Sequence, residues 1–397
     1  MKVRREEAHR FIHSAINHVV SWEVLRLENA IGRVLSEDIV SPVNVPAVNR
    51  SAVDGYAVRA SETPGKFKVI GEVPAGIVPQ FKVGKGETAL VMTGGVVPEG
   101  ADAVVRVEDV KVKGDEVIVE KEVREGELIN FAGSEIKKGT VILRAGRVID
   151  AISAGILASV GVWKVRVYRK PRVAIIVSGS EIVEPEEKAR PVDVFNSNYF
   201  ILNAILESVK VSKRYFGIVK DNKDEIVSAL NYAFTECDVV ITCGGISKGK
   251  YDLVKSSLED LGVNIFFTET NIKPGRPLVF GKRDKTVFFG LPGYPFALFV
   301  NAVEFLIPAL KHLAGNRNWQ NRYFPVKLAS PLKGKKGRVD FVRAKVVEEN
   351  GELVGYPIEN QLTSAFYPLV NSNALLILDE DKESASEGEV VKALIFQ

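Results

Sequence analysis

The chain has 397 residues, of which 46% are hydrophobic and 26% charged, a composition that excludes a disordered chain and predicts roughly two to four globular domains. A net charge of only +3 gives no support for a nucleic-acid-binding surface. Two cysteines, Cys237 and Cys243, bracket "DVVIT"; if that segment is a strand they lie roughly 20 Å apart, so no disulfide is expected, and two cysteines alone make no zinc site.

The N-terminal stretch "MKVRREEAHRFIH" carries no apolar signal core, and the longest apolar run, residues 294–310, is interrupted by Asn301 and Glu304. A buried helix is expected there rather than a membrane span, and the expected location is the cytoplasm. Residues 4–20 have the spacing of an amphipathic helix. His9 and His13 stand four apart on it, and with no third ligand nearby they are read as a solvated face rather than a metal site.

Residues 22–146 are rich in β-branched side chains and punctuated by Gly and Pro, which predicts a β-rich region. Within it, Asp54-Gly55 reads as a hairpin turn with a polar approach, Asn49-Arg50-Ser51. Thr93 sits on a further glycine turn, in reach of a ligand or simply closing a hairpin. A short helix over 150–163 returns to the N-terminal part. At Lys170-Pro171 the pattern changes to apolar runs alternating with helical spacing, up to about residue 315, as in a parallel sheet covered on both faces. From Trp319 onward a β pattern returns.

Ligands of such a sheet bind beyond the carboxyl ends of its strands. Three polar turns fall there: Ser178-Gly179-Ser180-Glu181, Cys243-Gly244-Gly245-Ile246-Ser247 and Gly290-Leu291-Pro292-Gly293. Glycine lets backbone N–H groups approach an anion, so three such turns in one sheet point to a phosphorylated or otherwise anionic ligand. "GGISKGKYD" begins like a nucleotide-triphosphate loop, but Tyr251 stands where Ser or Thr must bind Mg²⁺. Asp252, near the start of the next helix, is either a helix cap or a metal ligand opposite a phosphate. Lys273 and Arg276 on the Pro-Gly turn "NIKPGRPLVFG" suit an oxyanion. No GxGxxG follows the first strand, which excludes a Rossmann dehydrogenase.

Taken together, "NRSAVDGYAV", "VMTGGVVPEGADAVV", "VSGSEI", "TCGGISKGKYDLVK", "KPGRPLVFG", "GLPGYP", "GRVDFVRA" and "NSNALLIL" resemble, in order, the MoeA-type molybdopterin molybdenumtransferases, the family of the gephyrin E domain. The resemblance implies a multidomain α/β-plus-β protein. Residues 1–45 and 145–170 would form an elongated helical and β domain for dimerisation, and 46–144 an inserted β-rich domain. Residues 171–316 would form a MogA-like α/β pterin-binding domain, and 317–397 a β-barrel-like domain.

It further implies a homodimer whose cleft lies between the α/β domain and the partner's inserted domain. The reaction implied takes adenylylated molybdopterin and molybdate or tungstate, releases AMP and uses Mg²⁺. A MogA- or MoaB-type protein is implied as a further partner. By resemblance, Asp54, Thr93, Glu181 and Asp252 are the catalytic groups, with Asp54, Glu181 and Asp252 on the metal. Ser178, Gly244, Gly245, Ser247, Lys273, Arg276, Pro292, Arg338, Arg343 and Ser364 would hold substrate, with Gln361 and Thr363 in the same C-terminal stretch. Tyr294 stands where many relatives have Asn, and Arg276 where Lys is usual. The alternatives are a pterin-nucleotide pyrophosphatase or a non-enzymatic pterin-binding scaffold built on the same domain.

Overall fold

The computed structural model describes residues 1–245 and 253–396; Ser247 and Asp252 lie outside them. Its central element is a seven-stranded sheet in the order Lys2–Val3, Asn264–Thr270, Pro277–Arg283, Thr286–Leu291, Val239–Cys243, Arg172–Ser178, Ser212–Val219. The last four strands are mutually parallel. Their apolar runs are continuous because both faces are covered. Val173, Ile175 and Val177 enter one core with helix Ser197–Glu207 and the long helical run from Pro295 to Leu313. Ala174 and Ile176 enter the other with helix Lys223–Glu236 and helix Leu253–Asp260.

The sheet departs from a purely parallel one. Strand Pro277–Arg283, which begins inside the expected cationic turn segment, runs antiparallel to both neighbours. The run from Pro295 is apolar enough to span a membrane, but 78% of its most apolar window is buried inside the protein. Cys237, at the C-cap of helix Lys223–Glu236, and Cys243, the last residue of strand Val239–Cys243, are buried free thiols.

The N-terminus corrects two expectations. Residues 2–20 do not join the elongated domain. Strand Lys2–Val3 extends the central sheet, and helix Arg5–Ala15 buries Ala8, Ile12 and Ala15 in its core. The apolar stripe of the helix is buried there, against the core of the central sheet. His9 also departs from the solvated face expected of it, whereas His13 is exposed. His9 Nε2 lies 2.7 Å from Oε1 of the fully buried Glu304, and His13 stacks on Trp319, with centroids 4.9 Å apart.

Strand Trp22–Arg26 pairs with Lys164–Tyr168 and Ile39–Val40 with Val141–Leu143, closing a small core around Leu35, Ile149 and Leu157. Between them sits a six-stranded sheet built from residues 55–119, with apolar clusters on both faces. Past residue 320, strands Phe324–Leu328, Val339–Glu349, Glu352–Pro357, Ala374–Leu378 and Val390–Ile395 close into a five-stranded barrel, because Val339–Glu349 pairs with both Glu352–Pro357 and Ala374–Leu378. Strand Ile272–Lys273 pairs with Val339–Asp340 and ties the barrel to the α/β domain.

Candidate functional site

The register of the parallel strands brings the glycine turns together. Val177 pairs with Cys243 and Cys243 with Leu291, so the segments starting at Ser178, Gly244 and Pro292 emerge side by side. Gly244 and Gly245 have φ of +85° and +68°, and a Cβ on Gly244 would lie 2.5 Å from the Ser178 carbonyl oxygen. Only glycine fits so close a backbone approach, and the Gly244 N–H itself donates to the Leu291 carbonyl at 3.1 Å. The Ser178 side chain is buried against Gly245. Pro292 is buried, and Asn198 Nδ2 donates to the Gly293 carbonyl at 2.9 Å.

A carboxylate missed in the sequence completes this edge. Asp221, just past strand Ser212–Val219, accepts from Ser180 N at 3.2 Å through Oδ2 while its own N–H donates to Ser180 Oγ at 3.1 Å. Ser178 Oγ stands 3.5 Å from Asp221 Oδ1. The rule applied to the other parallel strands, a polar residue at the carboxyl end, would have found it in "GIVKDN". Glu181 is exposed on the same turn, so two carboxylates border the glycine turns.

Asp54 and Thr93 meet elsewhere, on the inserted sheet. Asp54 Oδ1 accepts from Thr93 N at 2.7 Å and from Thr93 Oγ1 at 2.8 Å. These bonds, the backbone one foremost, hold the carboxyl below its ordinary range. Thr93 and Gly94 line a cleft of about 360 Å³ with Arg50, Ser51, Asn130 and Glu135. Among the described residues no hydrogen bond or ion pair links Asp54 or Thr93 to the turns at 178–181 and 244–245, and no three metal-ligating side chains converge.

Lys273 is exposed, and Arg276, 56% exposed, pairs through Nη2 with Glu269 Oε2 at 2.8 Å. Arg338, 30% exposed, is paired in the same way, Nη2 to Asp340 Oδ1 at 2.9 Å, so the two arginines differ in exposure and not in having a carboxylate partner.

Arg343 requires a correction. It is fully buried, its guanidinium lies 4.0 Å over the Phe296 ring, and it donates to the carbonyls of Leu362, at 2.9 Å, and Ala365. Burial pulls its pKa down. It fastens residues 362–365 from beneath and presents no charge to a ligand. Gln361 is likewise engaged with backbone, taking Arg343 N at 3.0 Å and giving to Arg343 O at 2.9 Å. Thr363 is half-buried and Ser364 exposed on the stretch so held.

Three family profiles cover most of the chain: the MoeA N-terminal region (domain I and II) over residues 3–161, the probable molybdopterin binding domain over 174–312, and the MoeA C-terminal region (domain IV) over 325–396. A molybdopterin molybdenumtransferase of Haemophilus influenzae is 33% identical over 374 residues, 93% of this chain and 92% of that one. One from Bacillus subtilis is 30% identical over 404 residues, 99% and 93% of the two chains. Among solved structures, a molybdopterin biosynthesis MoeA protein from Pyrococcus horikoshii OT3 superposes with a TM-score of 0.87 at 33% identity, over 100% of both chains.

Proposed function

This chain belongs to the MoeA family of molybdopterin molybdenumtransferases, and from that premise we propose that it inserts molybdate or tungstate into adenylylated molybdopterin with release of AMP, assisted by Mg²⁺. It is an enzyme of molybdenum cofactor biosynthesis. The observation that carries the finer reading is the row of glycine turns bordered by Glu181 and Asp221. The Gly244 N–H is given to the Leu291 carbonyl at 3.1 Å, so it is the Gly245 N–H that would meet phosphate oxygens, with the Ser178 side chain packed against that glycine. Lys273 and Arg276 would draw the incoming oxyanion.

The donor set fits a hard cation. Glu181, Asp221 and Asp54 offer only carboxylate oxygen, and Mg²⁺ is held by one or two carboxylates with water and substrate phosphate completing its shell. When bound, it would neutralise the phosphoanhydride joining pterin to adenylate. Since, among the described residues, no hydrogen bond or ion pair joins Asp54 or Thr93 to the strand-end turns of their own chain, they act, in this proposal, on those of a second copy. A homodimer is also favoured by the exposed apolar side chains Trp22, Val24, Ile31 and Ile152, each more than 50% accessible. The proposal places the protein in the cytoplasm, receiving substrate from a MogA- or MoaB-type protein.

The test is AMP release from adenylylated molybdopterin. It should require molybdate or tungstate, stop when a chelator removes divalent ions, and resume with Mg²⁺. Release that ignores both the oxyanion and the chelator contradicts the proposal.

A further inference from the structure

Asn301 is a fully buried amide at the last position of helix Pro295–Asn301. Its Nδ2 donates to the carbonyls of Gly275, at 3.1 Å, and Pro277, at 3.0 Å. The carbonyl between them, that of Arg276, accepts from Thr270 N at 2.8 Å. Three consecutive carbonyls of the cationic turn are therefore fixed, two of them by one side chain. An amide suits this task because its NH₂ carries two hydrogens; a hydroxyl has one and a carboxylate none. The fit leaves no slack. Gly275 has φ of +102°, and a Cβ there would lie 2.8 Å from Asn301 Oδ1.

The same helix begins directly after the Gly290–Gly293 turn, and at ~1.5 Å per residue Asn301 lies about 9 Å further along its axis. One rigid element thus carries a phosphate-side turn at its start and grips the oxyanion-side turn at its end. Glu269 holds the Arg276 guanidinium from the adjacent strand, so the side chain is aimed by Glu269 and its backbone by Asn301. None of the sequence motifs singled out Asn301 for a role in the site.

We propose that Asn301 is a positioning residue for oxyanion recognition: it fixes the 273–277 turn so that Lys273 and Arg276 meet the oxyanion at a set distance from the bound pterin phosphate. This rests on the reading of Lys273 and Arg276 as the oxyanion contacts.

The experiment compares wild type, Asn301→Leu, Arg276→Ala, Lys273→Ala and the Asn301→Leu/Arg276→Ala double variant. AMP release is measured against molybdate at saturating adenylylated molybdopterin, and then with the two exchanged. Asn301→Leu should raise the half-saturating molybdate concentration on the order of ten-fold, the effect of losing two hydrogen bonds to a turn that must stay placed. Half-saturation by the pterin should stay within about two-fold, and the change should add little to Arg276→Ala. A purely structural loosening would move both substrates together and would add fully to Arg276→Ala.

Unchanged molybdate dependence in a folded Asn301→Leu protein, while Arg276→Ala or Lys273→Ala raises it, overturns the role of Asn301 alone. If neither cation variant moves it, the oxyanion reading falls and this proposal with it. Should Asn301→Leu fail to fold, Gly275→Ala presses on the same contact from the turn side. It should give the same selective rise, and an equal rise for both substrates would overturn the proposal.

Discussion

Thr93 directs both a backbone N–H and a hydroxyl at one oxygen of Asp54, Oδ1. Because the folded pKa of Asp54 is depressed, the charged form persists to lower pH than in a free aspartate and is lost only as pH falls through the depressed value. Thr93→Val removes the hydroxyl donor. It should shift the acid limb of the pH–rate profile upward while leaving the plateau above neutrality largely in place. An acid limb that stays put would show that Asp54 is not the group titrating there.

At this scale the glycine turns were open to sequence reading, since a backbone that excludes Cβ leaves only one residue type. Asp54 and Thr93 entered through family resemblance; their pairing spans 39 positions, which spacing does not reveal. Arg343 misled for the same reason. It too entered through resemblance, and its contacts with Phe296 and the carbonyls of 362 and 365 come from parts of the chain that the motif does not contain.

The placement of the N-terminal helix involves a single buried charge. Glu304 is fully buried in a π-helical turn, Ala302–Leu306. It receives Arg5 Nε and His9 Nε2 at 2.7 Å each, and Tyr323 Oη at 3.1 Å. Arg5 and His9 come from the N-terminal helix and Tyr323 from the lead-in to the barrel, so one carboxylate joins three parts of the chain. Burial pushes the Glu304 pKa up, but the contacts from His9 and Arg5 outweigh it and leave it below the ordinary value. The stability it contributes is therefore present above the unfolded value, ~4.3, and is lost as pH falls through the folded one.

Arg5→Leu should cost about 3 kcal/mol, the low end for stripping one partner from a buried pair, because His9 and Tyr323 remain. Urea unfolding would measure it, and a loss under about 0.5 kcal/mol would show that the pair does not anchor the helix. The helix itself was readable from its apolar stripe. Its destination was not, because Glu304 lies 295 residues from His9 and an interior glutamate in an apolar run looks like a mere interruption.

For the whole molecule, the lack of any hydrogen bond or ion pair, among the described residues, between Asp54 and the strand-end turns is the feature that demands explanation. If the site is shared, Asp54→Ala and Glu181→Gln are each inactive alone and complement each other when mixed. In the mixed dimer one cleft carries both lesions and the other neither. With free exchange, about half the dimers are mixed, so recovery should approach roughly a quarter of wild-type turnover. No recovery in a mixture shown by mass to have exchanged subunits would place both groups in one chain.

The domain order was visible in the alternation of β-rich and strand–helix segments, whereas the capture of residues 2–20 by the central sheet was not, since a two-residue edge strand has no pattern of its own. The central claim is metal insertion coupled to cleavage of the adenylate. The measurement closest to it incubates the protein with adenylylated molybdopterin, Mg²⁺ and molybdate or tungstate, then counts AMP and metal-bound pterin in the same samples. The account predicts that the two appear together, in equal amounts, and only with an oxyanion present. AMP without metal-bound pterin would mark a pyrophosphatase, and tight pterin binding with neither product would mark a scaffold; either result contradicts it.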